Sequence, residues 1–228
     1  MIKLLIFNII LFSSSDLIRP IKVINLNTGE PSAISCIDND CVIASDNGKV
    51  FTFDVTTNTS KEMNFSGEDF EGIYMSDEYI YVLEERSRKV EKLNSKFEHL
   101  NTYEISYNGR LNRGFEGIVY NPDLKRFIVV TETNPCILIE LNEDFQVLKN
   151  KYLDINELSD ITFYGGMYWL LSEEDHCIYI MDPNSYRVEK KIKLNIIGAE
   201  GICFVNNLLF ITSDKLSKLF VYDVPNIN

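Results

Sequence analysis

The chain has 228 residues, 45% hydrophobic and 12% aromatic, enough for one sizeable domain or at most two small ones. Its formal net charge of −12 repels phosphate backbones, which argues against nucleic acid as a partner and points to cations or basic surfaces, or to acidity that serves solubility alone. Val, Ile, Tyr and Phe are plentiful, and these side chains suit pleated, half-buried strands.

At the N-terminus Lys3 precedes an apolar run from Leu4 to Phe12, broken by Asn8, and Ser13, Ser14 and Ser15 supply small residues for cleavage. The pattern predicts a signal peptide over residues 1–15, and therefore export; a hydrophobic first strand or an uncleaved anchor is the competing reading. The run is too short to cross a bilayer, which takes about 20 residues, and no later stretch is apolar enough to do so. Residues 16–228 are read as one domain, with no membrane span once the signal is removed, and as a monomer.

The first strand, Ile21 to Leu26, precedes the repeating units and belongs to none of them in sequence. An acid, a small residue and an apolar strand then recur: Glu30-Pro31-Ser32-Ala33-Ile34, Glu71-Gly72-Ile73-Tyr74, Glu116-Gly117-Ile118-Val119-Tyr120, Asp160-Ile161-Thr162-Phe163 and Glu200-Gly201-Ile202-Cys203-Phe204. The acids are 41, 45, 44 and 40 positions apart, the period of a four-stranded propeller blade. Each is followed by a second apolar strand ending in an acid: Asp46, Glu85, Glu132, Glu173 and Asp214. Third strands such as Val50 to Val55 and more polar fourth strands such as Val188 to Leu194 complete each unit. Tight-turn residues, among them Gly165-Gly166 and Asn206-Asn207, separate first from second strands. Tyr152 to Leu158 reads as one helical turn. The fifth unit lacks a fourth strand, which Ile21 to Leu26 can supply. The prediction is an all-β, five-bladed β-propeller, four antiparallel strands per blade, with the N-terminal strand closing the last blade.

The pattern resembles the SdiA-regulated domain family of exported bacterial propellers. The resemblance rests on Phe115-Glu116-Gly117-Ile118 with Thr131-Glu132-Thr133-Asn134-Pro135, on Ala199-Glu200-Gly201-Ile202 with Ile211-Thr212-Ser213-Asp214, and on Ser159-Asp160-Ile161-Thr162 with Leu171-Ser172-Glu173. It runs from Ile21 to Tyr222 and implies a propeller, often exported, but no reaction. The chain departs from the pattern at Asp160, where other blades have Glu, and at Pro31-Ser32, where others have Gly.

In a propeller the start of each first strand and the end of each second strand share one face. Glu30, Glu71, Glu116, Asp160 and Glu200 are therefore expected at one mouth of the channel with Asp46, Glu85, Glu132, Glu173 and Asp214. Crowded carboxylates take up protons or hold a cation, and hard oxygens suit Ca²⁺ or Mg²⁺. Glu71, Glu116 and Glu200 are the first candidates for a divalent cation, with Glu30, Asp160, Glu85, Glu132 and Glu173 as further ligands. In the alternative the same acids accept hydrogen bonds from backbone N–H groups of the next blade, and the small residue after each lets the blades approach at the axis.

Cys36 and Cys41 flank a hairpin tip and can form a disulfide or remain small buried thiols; five cysteines leave at least one unpaired. His99 falls on an outer strand or loop. His176, near Glu173, reads as a surface histidine, and as a general base reaching the acidic mouth only if the protein is an enzyme. Trp169 reads as packing between blades, and Arg86, Arg88, Arg110 and Arg113 as solvated loop charges. No phosphate loop, Gly-x-Ser-x-Gly elbow or His-Glu-x-x-His is present. The functional expectation is a binding or scaffold module for an unidentified small ligand or protein, with a cation in its channel. The enzymatic alternative, a divalent-cation-dependent hydrolase of a small ester, lactone or phosphoester, rests on fold analogy with calcium-centred propellers.

Overall fold

The computed structural model describes residues 17–107, 114–133 and 135–225; the predicted signal segment, Arg110, Arg113 and Asn134 lie outside them. Every regular element is a strand. The chain opens with β1 (Lys22–Asn25). The first blade follows as β2 (Pro31–Ile37), β3 (Asp40–Ser45), β4 (Lys49–Asp54) and β5 (Thr59–Ser66). The second holds β6 (Phe70–Met75), β7 (Tyr79–Glu84), β8 (Lys89–Asn94) and β9 (His99–Glu104). The third holds β10 (Phe115–Asn121), β11 (Arg126–Thr131), β12 (Ile137–Leu141) and β13 (Val147–Tyr152), and the fourth β14 (Asp160–Tyr164), β15 (Met167–Ser172), β16 (Cys177–Met181) and β17 (Val188–Lys193). The last comprises β18 (Ala199–Val205), β19 (Leu208–Ser213) and β20 (Lys218–Asp223), to which β1 adds as the outer strand. All five sheets are four-stranded and antiparallel, so the five-bladed propeller expected from the period is the fold.

Burial explains why the inner strands read as apolar runs. Every residue of β12 and β16 is buried, because each blade is covered on both faces by its neighbours, whereas β13 and β17 are mostly exposed. The cores therefore lie between blades. Trp169, Leu171 and Ile178 of the fourth blade pack with Ile202, Leu209 and Tyr222 of the fifth, and Trp169 meets the Phe204 ring edge-on at 4.8 Å. Closure is equally apolar: Ile24 of β1 and Leu219 and Val221 of β20 join Ile34, Ile43 and Phe53 of the first blade. β1 pairs with β20 in a four-residue register from Lys22↔Val221 to Asn25↔Lys218.

The turns between first and second strands carry the backbone that their residues favour. Asn206 and Asn207 have φ of 47° and 62°, and Gly165 and Gly166 have 60° and 78°, paired positive values that suit the twist of a two-residue hairpin. The predicted helical turn over Tyr152 to Leu158 is absent. β13 runs through Tyr152, and the following loop is held extended by a bridge between Thr133 and Glu157 and by Leu158 N–H donating to the Glu132 carbonyl at 2.9 Å.

Candidate functional site

Backbone hydrogen bonds bring the start of each first strand to the end of its second strand. Asp46 N–H donates to Glu30 O at 3.2 Å, Glu85 N–H to Asp69 O at 3.0 Å, Glu132 N–H to Gly114 O at 3.2 Å and Asp214 N–H to Gly198 O at 3.1 Å. The carboxylates at these ends converge on a cavity of about 350 Å³ at one mouth of the channel. Among the described residues eleven acids and two serines line it and no basic residue does: Glu30, Asp46, Glu71, Glu85, Glu116, Glu132, Glu173, Glu200 and Asp214 of the acids expected at this mouth, and two that the sequence reading missed, Glu157 and Glu174.

β-Bulges aim the inner ring. The register shifts between Phe70 and Gly72, between Phe115 and Gly117, and between Ala199 and Ile202, which leaves Glu71, Glu116 and Glu200 out of the ladder. A bulged residue is re-aimed out of the strand's normal alternation, here toward the axis. The same shift between Pro31 and Ala33 presents Ser32, not Glu30. β14 has no bulge: Asp160 pairs with Leu171 and Ile161 with Leu170. Counting back from the paired isoleucines Ile34, Ile73, Ile118, Ile161 and Ile202, the structural ring is Ser32, Glu71, Glu116, Ser159 and Glu200. Asp160 takes the place of Ala33, Gly72, Gly117 and Gly201. The predicted motif frame is therefore corrected in two blades: Glu30 is exposed at the rim, and Asp160 is buried and does not line the cavity.

Asp160 performs the blade-to-blade role. Its Oδ2 accepts from Ile202 N–H of the fifth blade at 2.9 Å and its Oδ1 from Ile161 N–H at 2.7 Å. Burial pushes its carboxyl well above the usual range, with these two donors acting in the opposite direction. The preceding blade leaves room for it because residue 117 is glycine: a Cβ there would stand 2.6 Å from Asp160 Oδ1 and 2.7 Å from Ile161 N. Two second-strand acids also link blades, Glu85 accepting from Gly114 N–H at 2.8 Å and Glu173 from Gly198 N–H at 3.1 Å. Glu157 is buried and accepts from Ser159 Oγ and Ser172 Oγ, both at 2.8 Å, and from Glu174 N–H at 3.0 Å.

The inner glutamates accept no backbone N–H among the described residues, and Glu71 shares a hydrogen bond with another acid, Asp46. Glu116 is 9% exposed, and no hydrogen bond reaches its carboxylate among the described residues. Single ligand oxygens of Glu85, Glu116 and Glu132 lie within 4.8 Å of one another, as do those of Asp46, Asp69 and Glu71. Burial first, and then repulsion from Asp46, Glu200 and other acids, pushes Glu71 up to about 9. Burial and the charges of Asp214 and Glu173 push Glu200 up to about 8, and Glu116 stands well above the carboxylate range for the same kinds of reason. Among the described residues, positive charge at this mouth stands at the rim. Arg86 Nε is 3.0 Å from Asp69 Oδ2, and the exposed Lys215 pairs with Glu173.

His176 occupies the β15–β16 turn, exposed and not among the residues lining this mouth; its N–H donates to the Glu173 carbonyl at 3.0 Å. His99 begins β9, exposed, with Nε2 2.7 Å from Glu91. Cys36 and Cys41, directly opposite on β2 and β3, are joined in a disulfide, while Cys136, Cys177 and Cys203 are buried thiols.

The fold and this site define a class: a closed five-bladed propeller with crowded, partly buried carboxylates at one end of its channel. The chain belongs to the SdiA-regulated family, whose model matches residues 41–227. No curated protein matches it. Among solved structures it is similar to glutaminyl cyclase of Myxococcus xanthus, at 12% identity and a TM-score of 0.73 over 92% of this chain and 98% of that one. It is also similar to a protein of unknown function from Bacteroides caccae, at 13% identity and a TM-score of 0.59 over 80% of this chain and 70% of that one. Hydrazine synthase of Kuenenia stuttgartiensis matches at 14% identity and a TM-score of 0.51, over 83% of this chain and 57% of that one. At these identities the likeness is one of fold.

Proposed function

We propose that the protein is an exported propeller that binds a divalent cation, Ca²⁺ or Mg²⁺, at the acidic mouth of its channel and serves as a binding module. Glu116 carries the reading: a nine-tenths buried carboxylate, open to the cavity, without a hydrogen-bond donor among the described residues and flanked by Glu85 and Glu132. Such a group either keeps a proton or meets a cation. Ca²⁺ takes about 6–8 oxygens at roughly 2.3–2.6 Å, and glutamates from three blades with water can meet that demand. The basic and apolar residues 1–15 support export. A thermal melt in EDTA, repeated with Ca²⁺ and with Mg²⁺, tests the reading, because a ligand of the folded state raises stability by mass action. The expected result is an upward shift that is lost in Glu116→Gln. No shift with either ion refutes it.

A second reading makes the mouth a cation-dependent hydrolase of a small ester, lactone or phosphoester. One observation favours it: Glu85, Glu116 and Glu132 form one carboxylate group that can hold the cation, while Glu71, pushed up to about 9 by burial and neighbouring acids, faces the same cavity as a general acid. Cation-dependent turnover that falls in Glu71→Gln supports this reading; no turnover of any of these substrates leaves the binding module.

A further inference from the structure

The ring closes where β18 of the last blade lies beside β2 of the first, and three of the five cysteines meet at that seam. Cys36 of β2 is bonded to Cys41 of β3, and on its other side the Cys203 sulfur of β18 lies 3.2 Å from Cys36 Sγ. We propose that Cys36 has two alternative disulfide partners, and that Cys36, Cys41 and Cys203 form a thiol–disulfide exchange site that locks the ring.

The seam is already assembled around the sulfurs. Cys36, Cys41 and Cys203 share one apolar cluster, and Asn206 Nδ2 donates to Asn39 Oδ1 at 2.8 Å between the adjoining hairpin tips. The two sulfurs already stand 3.2 Å apart, against roughly 2.05 Å in a disulfide. The other two thiols, Cys136 and Cys177, belong to a different cluster and serve as internal controls. Cys36 and Cys203 line a cavity of about 280 Å³ at the channel end opposite the acids, and Cys41 lines another of about 540 Å³.

The step balances without an external oxidant or reductant. The Cys203 thiol gives its proton to solvent and its sulfur bonds to Cys36 Sγ. The Cys36–Cys41 bond breaks, its electron pair leaves on Cys41 Sγ, and that sulfur takes up a proton. One disulfide and one thiol are present before and after. Burial holds the Cys203 thiol well above its ordinary range, which keeps the exchange slow and lets acid quenching trap the isomers. The structural consequence is large. The Cys36–Cys41 bond spans 5 positions and staples one hairpin, whereas Cys36–Cys203 spans 167 and ties the first blade to the last. A ring otherwise closed by β1 pairing and by non-covalent contacts at the seam thereby becomes covalently closed.

The full chain, folded and oxidised in a glutathione buffer, is freed of glutathione, incubated, quenched in acid and alkylated, then digested without reduction and mapped by mass spectrometry. The expected result is two isomers, Cys36–Cys41 with Cys203 alkylated and Cys36–Cys203 with Cys41 alkylated. Cys41→Ser is expected to collect Cys36–Cys203 and to melt higher oxidised than reduced. A single isomer of either kind in the wild-type protein, or no disulfide at all, overturns the proposal. The wild-type map decides the question even where the variant fails to fold.

Discussion

Raising the pH of the chelated protein from 6 to 8 is expected to destabilise it, the reverse of what paired carboxylates do. The Glu71 carboxyl lies at about 9 in the folded chain against an ordinary 4.5, and Glu200 lies at about 8. Between those limits the folded state holds protons that the unfolded chain has lost. The stabilisation is complete below about 4.5 and disappears as the pH rises through about 8 to 9. Each carboxyl contributes a slope of up to about 1.4 kcal/mol per pH unit, so the pair removes about 2 to 3 kcal/mol per unit in mid-window. Urea unfolding in EDTA at pH 6, 7 and 8 measures this directly. Glu71→Gln cannot ionise, so its slope is shallower by about 1 kcal/mol per unit and its stability at pH 8 exceeds that of the wild type. Saturating Ca²⁺ offsets the loss more at pH 8 than at pH 6, because cation and proton compete for the same oxygens. Stability in EDTA that is flat or rising over this range, or a Glu71→Gln slope equal to the wild type's, refutes the assignment of half-buried, mutually repelling carboxyls.

Two substitutions separate the structural acid from the inner ring. Asp160→Ala strands the buried N–H groups of Ile161 and Ile202 and is expected to cost about 2 to 5 kcal/mol by urea unfolding, with Ca²⁺ affinity by calorimetry unchanged within about twofold. A large loss of affinity with little loss of stability would place Asp160 in the cation site instead. Gly117→Ala forces a Cβ against Asp160 Oδ1 and Ile161 N at 2.6 and 2.7 Å, contacts that include backbone and relax poorly. It is expected to cost about 1 to 3 kcal/mol, and a neutral result would show that the third and fourth blades can separate at the axis.

The blade count was legible because strands buried on both faces leave apolar runs at a fixed period, as in Ile137–Leu141 and Cys177–Met181. Glu71, Glu116 and Glu200 were legible because an acid and a glycine precede the same isoleucine in three blades. Ser32 and Ser159 were not, because a bulge, present in β2 and absent from β14, has no composition of its own, and the charged neighbours Glu30 and Asp160 mimic the motif one or two positions out of frame. Aligning the blades on the isoleucine and on the buried residue before the ring, Phe70, Phe115 and Leu158, recovers the correct frame. Glu157 sits in a connection outside the repeat, and the approach of Cys203 to Cys36 joins residues 167 positions apart, so neither leaves a local signal.

Crystals grown with Ca²⁺ and measured for calcium anomalous scattering test the cation site most directly. The expected map has one peak in the acidic mouth, with a Glu116 oxygen and carboxylate oxygens from at least one other blade at roughly 2.3–2.6 Å. A mouth without a peak at millimolar Ca²⁺, with Glu116 hydrogen-bonded to a neighbouring carboxylate through a retained proton, would contradict it.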